Sequence, residues 1–212
     1  MLKKVLLVRH AQSEEDVNPN LRDRIADRRI SITEEGRKQI AELVAALAPH
    51  VALYRRIRVY TSPSSRAGQT TSLFTASFPH TRFDVRQEER IRNLNWGGVT
   101  EKTIHEVEKE RYRVGVLYFQ FPNGDNTPEF VREIEAFVSE ILSHGVSRTC
   151  PKCIIIFTHG FALRVIAKAF LEISDEEFRY LRNPPNCYVA SLTIKDGTAS
   201  IDEPLPRVSF DT

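Results

Sequence analysis

Hydrophobic residues occur in two alternating patterns along this chain. Short, mainly apolar stretches cover residues 5–8, 57–60, 154–157 and 188–194, with Arg58 inside the second. Runs of this length, bounded by polar residues, are typical of strands buried in a mainly parallel sheet. The run at 154–157 is the most apolar of the four, and it predicts the most deeply buried strand.

Between these runs, apolar residues recur at the spacing of amphipathic helices. Ile40, Leu43 and Leu47 follow Thr33, which has the chemistry of a helix cap. Further helices are predicted from the segment Ser-Pro-Ser-Ser-Arg-Ala with Pro63 early in the helix, over 103–118, from Thr127 onwards, and over 161–171.

Strands and helices alternate with no repeat, low-complexity tract or linker. We therefore expect one domain over residues 1–212, an α/β three-layer αβα sandwich with a mainly parallel central sheet. Residues 95–126 are expected to form a lid-like insertion over one end of this sheet. Glycine and proline residues mark its edges, at positions 97, 98, 122 and 124.

Charge and composition limit the classes of partner. Lys and Arg number 30 against 28 Asp and Glu, a net charge of +2 in 212 residues. This balance argues against nucleic-acid binding, which usually requires a strongly basic surface. No apolar run approaches the roughly 18 residues of a membrane span, and no signal segment is present, so we expect a cytoplasmic protein with no membrane partner. The sequence predicts no oligomeric state.

Three cysteines offer little chemistry. Cys150 and Cys153 form a C-P-K-C step ahead of the strand at 154–157, and Cys187 stands alone. A zinc site needs about four ligands, and a redox CxxC normally opens a helix. We therefore expect a loop with incidental thiols and no bound metal.

Cationic residues follow three of the predicted strands. The first strand ends at Arg9-His10, the second leads through Ser62 to Arg66, and the third ends at Thr158-His159. Ligands of such sheets bind beyond the carboxyl ends of the strands. Any one of these residues alone is an ordinary surface charge, but together they predict an anion site, and phosphate suits bidentate guanidinium groups.

Three motifs in order resemble those of the histidine phosphatase (phosphoglycerate mutase-like) superfamily. L-V-R-H-A-Q-S-E resembles its R-H-G-E-[ST]-E opening, T-S-P-S-S-R-A-G-Q-T its S-P-x-x-R-A-x-Q-T segment, and F-T-H-G-F-A-L-R its [ST]-H-G-x-x-[IL]-R segment. The likeness extends from residue 3 to about 194. It implies a phosphoglycerate mutase-like fold and phosphoryl-transfer chemistry.

The resemblance implies a role for each matching residue. His10 is the nucleophile that carries the phosphoryl group, with a backbone carbonyl fixing its tautomer. Arg9, Arg66 and His159 hold the phosphoryl oxygens, and Ser13 adds a hydroxyl or amide contact. Water then hydrolyses the phosphohistidine. Neither metal nor cofactor is required, because the cations are already in place.

Two positions depart from the family pattern. Asp16 stands where the family usually has Asn, and Asn93 stands where a Glu usually protonates the leaving oxygen. Beside a phosphate dianion a carboxyl group favours its protonated form. We therefore hypothesise that Asp16 donates the proton and Asn93 supplies a neutral hydrogen bond. Alternatively, Asp16 turns outward into the acidic run, and Asp125 is an alternative donor or a plain loop residue.

The missing Glu also affects turnover. Without a proton donor, substrates with good leaving groups suffer least. The chain is thus interpreted as a phosphomonoester hydrolase of unusual donor, or as a phospho-ligand-binding member with weak or lost turnover. A mutase is less expected. The mutases carry a Pro/Arg-rich lid stretch after the acidic segment, and residues 108–121, E-K-E-R-Y-R-V-G-V-L-Y-F-Q-F, have no equivalent. The expected partner is a small phosphorylated metabolite or a phosphorylated protein.

Two basic segments flank the expected pocket. The loop 18–29 carries four arginines that favour acidic substrates, although Asp23 and Asp27 neutralise part of their charge. The lid helix carries two arginines and two tyrosines that either contact a phosphorylated ligand or divide into exposed charges and buried aromatics. Helical spacing favours the second interpretation for these residues, Arg111, Tyr112, Arg113 and Tyr118.

Overall fold

The protein folds around one six-stranded sheet. The computed structural model describes residues 1–100, 103–147 and 149–208, and only the backbone at residues 22 and 23. The strands pair in the order β3-β2-β4-β1-β5-β6, and all except β5 run in the same direction. Their bounds are Lys4–Arg9 for β1, Arg56–Thr61 for β2, Arg82–Gln87 for β3, Cys153–Thr158 for β4, Val189–Lys195 for β5 and Thr198–Ile201 for β6.

Seven α-helices occur in the described part of the chain, and the long ones cover both faces of the sheet. α2 and α3 pack together on one face, and α5 packs with α6 on the other. Short 3-10 helices cover Pro19–Asp23, Asp27–Arg29 and Glu89–Ile91. The α-helices are α1 Glu14–Val17, α2 Glu34–Ala52, α3 Ser65–Ala76, α4 Ile104–Val114, α5 Thr127–Gly145, α6 Gly160–Leu171 and α7 Asp175–Phe178.

Strand β1 shows why its sequence is apolar throughout. Val5 and Leu7 belong to the core cluster beneath α5 and α6. Leu6 and Val8 belong to the cluster beneath α2 and α3. Since successive side chains point to opposite faces, a strand covered on both sides needs apolar residues at every position. The predicted three-layer α/β class with a mainly parallel sheet is confirmed.

The sequence pattern did not predict strands β3 and β6, which lie at the two edges of the sheet. Strand β3 is mostly exposed and polar, and its Asp84 pairs with Arg58 on β2 at 2.9 Å. Strand β6 has only four residues. Edge strands bury little apolar surface and often carry charge, so their pattern is weak.

Two helix boundaries differ from the prediction. Ser64 caps α3, so Pro63 precedes the helix instead of lying within it. Helix α4 ends at Val114, and not at residue 118, because Gly115 follows with φ of 106°. A positive φ ends an α-helix and suits glycine.

The two ends of segment 95–126 meet at a narrow neck. The Asp125 amide donates to the Asn95 carbonyl at 2.8 Å, and the Asn95 amide donates to the Asp125 carboxylate at 2.7 Å. A Cβ on Gly97 would lie 2.2 Å from the Pro122 carbonyl oxygen, so this approach requires glycine. The chain therefore leaves and re-enters the main body at one place, with α4 between.

None of the helices in the described residues combines the length and apolar character that crossing a bilayer demands.

Candidate active site

Three adjacent strands place the predicted cationic residues side by side. Strands β2, β4 and β1 are neighbours, and Arg9 on β1 is in register with Thr158 on β4. His10 and His159 directly follow these two strands. Arg66 lies in the first turn of α3, just after β2. The carboxyl edge of the sheet thus brings all four side chains to one cavity.

His10 is held as a neutral imidazole. Its Nδ1 lies 2.8 Å from the Ala11 carbonyl oxygen, so Nδ1 carries the hydrogen and donates it. Burial lowers the pKa of His10 to about 3, and the positive charges of Arg66 and Arg9 act in the same direction. Nε2 therefore keeps its lone pair. This is the tautomer that the sequence interpretation required of a nucleophile.

His159 lies next to His10, with ring centroids 5.0 Å apart. Its Nε2 is 2.8 Å from the Ser62 hydroxyl and 3.3 Å from that of Ser64. Its Nδ1 is buried and lacks a hydrogen-bond partner among the described residues. Burial, together with the neighbouring Arg66, His10 and Arg9, lowers the pKa of His159 well below its ordinary value. The pocket thus has an unsatisfied imidazole nitrogen.

Arg66 is the most buried charge of the pocket, with 2% of its surface exposed. Its Nη1 donates to the Asp27 carbonyl at 2.8 Å, and its Nη2 donates to Asp27 Oδ1 at 2.7 Å. Asn93 Nδ2 donates to the same Oδ1 at 2.9 Å. Asp27 thus accepts from both Arg66 and Asn93, which were predicted to bind phosphate.

Asp27 is the site residue that the sequence interpretation missed. Its loop was expected to lie near the pocket, but Asp27 was taken only as a charge that weakens the field of the arginines. The 3-10 helix Asp27–Arg29 instead presents one backbone carbonyl and one carboxylate to Arg66. No pattern in a polar loop specifies such a contact, because it depends on how the loop folds back.

The Asp16 side chain lines the cavity and is 23% exposed, so it does not turn away from the pocket. Its Oδ2 accepts from the Ser13 amide at 2.8 Å and the Ser13 hydroxyl at 2.7 Å, and its Oδ1 accepts from Arg9 Nη2 at 3.0 Å. Burial alone raises the pKa of Asp16, but its interactions with His10, the Ser13 donors and Arg9 outweigh burial, and the net pKa is lowered. This geometry stabilises a carboxylate and opposes the hypothesised proton-donor role.

Arg9 and Ser13 both form hydrogen bonds with other residues of the protein. Arg9 Nη1 donates to the Pro184 carbonyl oxygen at 2.6 Å, and its Nε is buried with no partner in the described residues. Ser13 caps α1, and its hydroxyl donates to Asp16. Ser13 lines the cavity, and its hydroxyl hydrogen is donated to Asp16.

Asp125 lines the cavity but has a structural partner of its own. Arg92 Nη1 donates to it at 2.6 Å and Nη2 at 3.3 Å, and the Asn95 amide adds a third donor. These bonds join the neck of segment 95–126 to the main body. Asp125 is therefore available to a ligand only if that neck rearranges.

The prediction that residues 111–118 divide into exposed charges and buried aromatics is wrong. Tyr112 and Tyr118 are 65% and 57% exposed, whereas Arg111 is only 6% exposed. Arg113 is exposed, as expected, and pairs with Glu110. The guanidinium of Arg111 instead packs among aromatic rings, where its flat, weakly hydrated surface stacks well.

The cavity is larger than a phosphate requires. It measures about 1260 Å³ and continues from His10 and His159 to the lid residues Ile104 and Arg111. Elsewhere in the described residues, no group of three or more His, Cys, Asp or Glu is arranged to hold a metal. The three cysteines are free, and burial raises the pKa of Cys153 to about 12. The features that point to chemistry therefore meet in this cavity.

The cavity thus holds a neutral imidazole among buried guanidinium groups, at the carboxyl edge of a mainly parallel sheet. The family model of the histidine phosphatase superfamily (branch 1) matches residues 5–204. This chain belongs to that superfamily. The predicted recognition and the prediction of an enzyme of this superfamily are confirmed.

Known proteins resemble the chain over most of its length. It is 25% identical to phosphoglycerate mutase-like protein AT74H of Arabidopsis thaliana, covering 87% of this chain and 72% of that protein. It is 26% identical to 5''-phosphoribostamycin phosphatase of Niallia circulans, covering 82% and 81%. The solved structure of mycobacterial glucosyl-3-phosphoglycerate phosphatase superposes with a TM-score of 0.73 at 16% identity, covering 98% and 99%. That structural likeness supports the fold.

Proposed function

We propose that this protein is a metal-independent phosphomonoester hydrolase that acts through a phosphohistidine on His10. The observation that carries the proposal is the contact of His10 Nδ1 with the Ala11 carbonyl inside a buried cationic pocket. It leaves Nε2 neutral and nucleophilic without a separate base. Arg9, Arg66 and His159 supply positive or hydrogen-bonding contacts to the phosphoryl oxygens.

The reaction proceeds in two transfers. In the first, a bond forms between His10 Nε2 and phosphorus while the bond from phosphorus to the leaving oxygen breaks, and that oxygen takes a proton from an acid. In the second, water attacks phosphorus and returns a proton to that acid as the bond to Nε2 breaks. Inorganic phosphate leaves, and His10 is neutral again.

Asp27 is better placed than Asp16 or Asp125 to supply the proton. Asp16 and Asp125, the two donors considered from sequence, each accept three hydrogen bonds or more from the protein. The Asp27 side chain is 44% exposed and reaches Asn93, the position at which the family usually carries its Glu. A phosphate bound to Arg66 would take the place of Asp27 at this guanidinium and lie beside the Asp27 carboxyl group.

The relatives indicate the substrate class. Two of them are named for small phosphorylated molecules, phosphoribostamycin and glucosyl-3-phosphoglycerate. The cavity is comparable in size to sites that enclose small ligands. We therefore propose a small phosphorylated metabolite as the substrate, ahead of a phosphorylated protein, and the cytoplasm as the compartment.

The second candidate is a phospho-ligand-binding protein with little turnover, which Asn93 in place of the usual Glu favours. A metal-free assay with p-nitrophenyl phosphate and a chelator separates the two. Hydrolysis that disappears in His10→Ala and persists in His80→Ala, an exposed histidine outside the cavity, supports the enzyme. Phosphate binding without hydrolysis supports the binding protein.

A further inference from the structure

Two serine hydroxyls contact the ring of His159, and the proposed chemistry has not yet used them. Ser62 Oγ lies 2.8 Å from His159 Nε2, and Ser64 Oγ lies 3.3 Å from the same nitrogen. All three residues line the cavity and are no more than 3% exposed. The other ring nitrogen, Nδ1, has no hydrogen-bond partner within the described residues. The serines therefore engage one nitrogen of the ring and not the other.

The position of Ser64 indicates that its hydroxyl serves the ring and not the helix. Ser64 is the N-cap residue of α3, where a serine side chain ordinarily accepts from an amide of the first turn. Its side chain forms no such bond and lies against His159 instead. Helix α3 thus begins without the stabilising contact that its own N-cap serine could supply.

The direction of the Ser62 hydrogen bond follows from the neighbouring contacts. The Ser64 amide donates to Ser62 Oγ at 3.4 Å, so this oxygen already accepts from the backbone. Its own hydrogen has two acceptors within reach, Ser64 Oγ at 3.5 Å and His159 Nε2 at 2.8 Å. The shorter contact is the stronger one, so the hydrogen goes to Nε2. Because burial keeps the pKa of His159 low, the ring is neutral and carries its single hydrogen on Nδ1.

The neighbouring His10 has the same tautomer but uses the opposite nitrogen. Its Nδ1 donates to the Ala11 carbonyl oxygen, which leaves the lone pair of Nε2 for attack. In His159 the serines engage Nε2, which leaves the N–H group at Nδ1. A nucleophile needs a lone pair, whereas a group that stabilises charge on phosphoryl oxygens needs a hydrogen to donate. The two rings, with centroids 5.0 Å apart, therefore suit complementary roles.

We propose that Ser62 is a positioning residue whose hydroxyl donates to His159 Nε2, so that His159 Nδ1 donates to a phosphoryl oxygen during the transfer. With the other tautomer, a lone pair at Nδ1 would repel that oxygen. Ser64 supports the same ring through its longer contact. The inference rests on the proposed function, because it names the residue that orients one of the phosphate-binding groups.

NMR of the resting protein tests the tautomer directly. With isotope-labelled histidine rings, the spectrum distinguishes a ring nitrogen that carries hydrogen from one that does not, and His159→Gln assigns the signals. At neutral pH we expect hydrogen on Nδ1 of His159 in the wild type, and a mixture of the two tautomers in Ser62→Ala. Ser62→Thr keeps a hydroxyl and should restore the wild-type signals. Hydrogen on Nε2 in the wild type would overturn the inference, whatever the activity.

Steady-state kinetics supplies the second readout. Ser62→Ala should lower kcat by about tenfold to a hundredfold, less than the loss of a whole transition-state donor, with a smaller change in KM. Ser64→Ala should lower it less, because its contact is longer. Ser143→Ala, an exposed serine on α5 outside the cavity, is the control with unchanged kcat. A loss of kcat without a change of tautomer in Ser62→Ala, or the reverse, would contradict the inference.

Failure of the proposed function gives a different result. If the wild-type protein hydrolyses no phosphomonoester, that function fails, and the NMR experiment is repeated with inorganic phosphate. A shift of the His159 Nδ1 hydrogen signal in the wild type that is lost in Ser62→Ala supports the inference. Phosphate binding that leaves this signal unchanged overturns it.

Discussion

Two buried arginines line one cavity, yet their surroundings are opposite. Arg66, at the phosphate end, donates to a carbonyl and a carboxylate of Asp27. Arg111, at the end lined by α4, lies among aromatic rings, and two of its nitrogens have no hydrogen-bond partner within the described residues. The phosphate end already contains an acceptor that a substrate must displace, whereas Nε and Nη2 of Arg111 have no hydrogen-bond partner within the described residues, although Glu108 lines the same cavity. An anion that binds Arg66 must replace Asp27, whereas an acceptor that reaches Arg111 would form a new hydrogen bond.

The largest expected effect removes the nucleophile from the phosphate end. His10→Ala should lower kcat/KM for any phosphomonoester by at least about 10⁴-fold, because no other group takes the phosphoryl transfer. Steady-state assays with aryl and alkyl phosphates measure it. Phosphate binding should persist in the variant, since Arg9 and Arg66 remain. A variant that retains near wild-type activity would remove His10 from the reaction.

Asp27→Asn changes the phosphate end in two ways. It removes the carboxylate that competes with the substrate for Arg66, and it removes the proposed proton donor. We expect a loss of about 10²–10⁴-fold with alkyl phosphates and a much smaller loss with p-nitrophenyl phosphate, whose leaving group needs little help. Asp16→Asn and Asp125→Asn are the comparison variants. If Asp16→Asn shows the selective loss and Asp27→Asn does not, the donor is Asp16.

Arg66→Lys tests whether the two parallel N–H groups of the Arg66 guanidinium are needed. A lysine keeps the charge but cannot give two parallel N–H groups, so kcat should fall by about 10²–10³-fold, the loss typical of a missing transition-state donor. Arg58→Lys, in an ion pair with Asp84 away from the cavity, provides the matched control. An Arg66→Lys enzyme with unchanged kcat would show that charge alone suffices.

The smallest effect concerns stability at low pH. Because the pKa of His10 is about 3 when folded and near 6.5 when unfolded, the unfolded chain binds more protons between these values. Stability therefore falls as the pH is lowered from 7 to 5, by about 2 kcal/mol from His10 alone. Urea unfolding of wild type and His10→Gln without phosphate measures this. An equal pH dependence in both proteins would contradict the burial of a neutral His10.

The two ends also differ in how far the sequence predicted them. Arg9, His10, Arg66 and His159 follow strands whose apolar runs are plain, and the sheet rule then brings their side chains together. Arg111 was assigned to solvent because amphipathic patterns place charge outside. That rule failed because α4 lines a cavity, so Arg111 lies under the helix while Tyr112 faces outward.

Asp27 and the edge strand β3 illustrate the other limit. Both lie in polar stretches, where no apolar face fixes the direction of the chain. The position of Asp27 depends on a loop folding back onto α3, and β3 depends on pairing with β2. Long-range contacts of this kind are invisible to local periodicity.

The central claim is tested most directly by trapping the covalent intermediate. Metal-free enzyme is mixed with a labelled phosphomonoester, quenched rapidly in base to preserve phosphohistidine, and digested for peptide mapping. The account predicts one labelled phosphoryl group per chain, bound to His10, that disappears as inorganic phosphate forms and is absent in His10→Ala. Turnover without label on His10, or label on another residue, would contradict it.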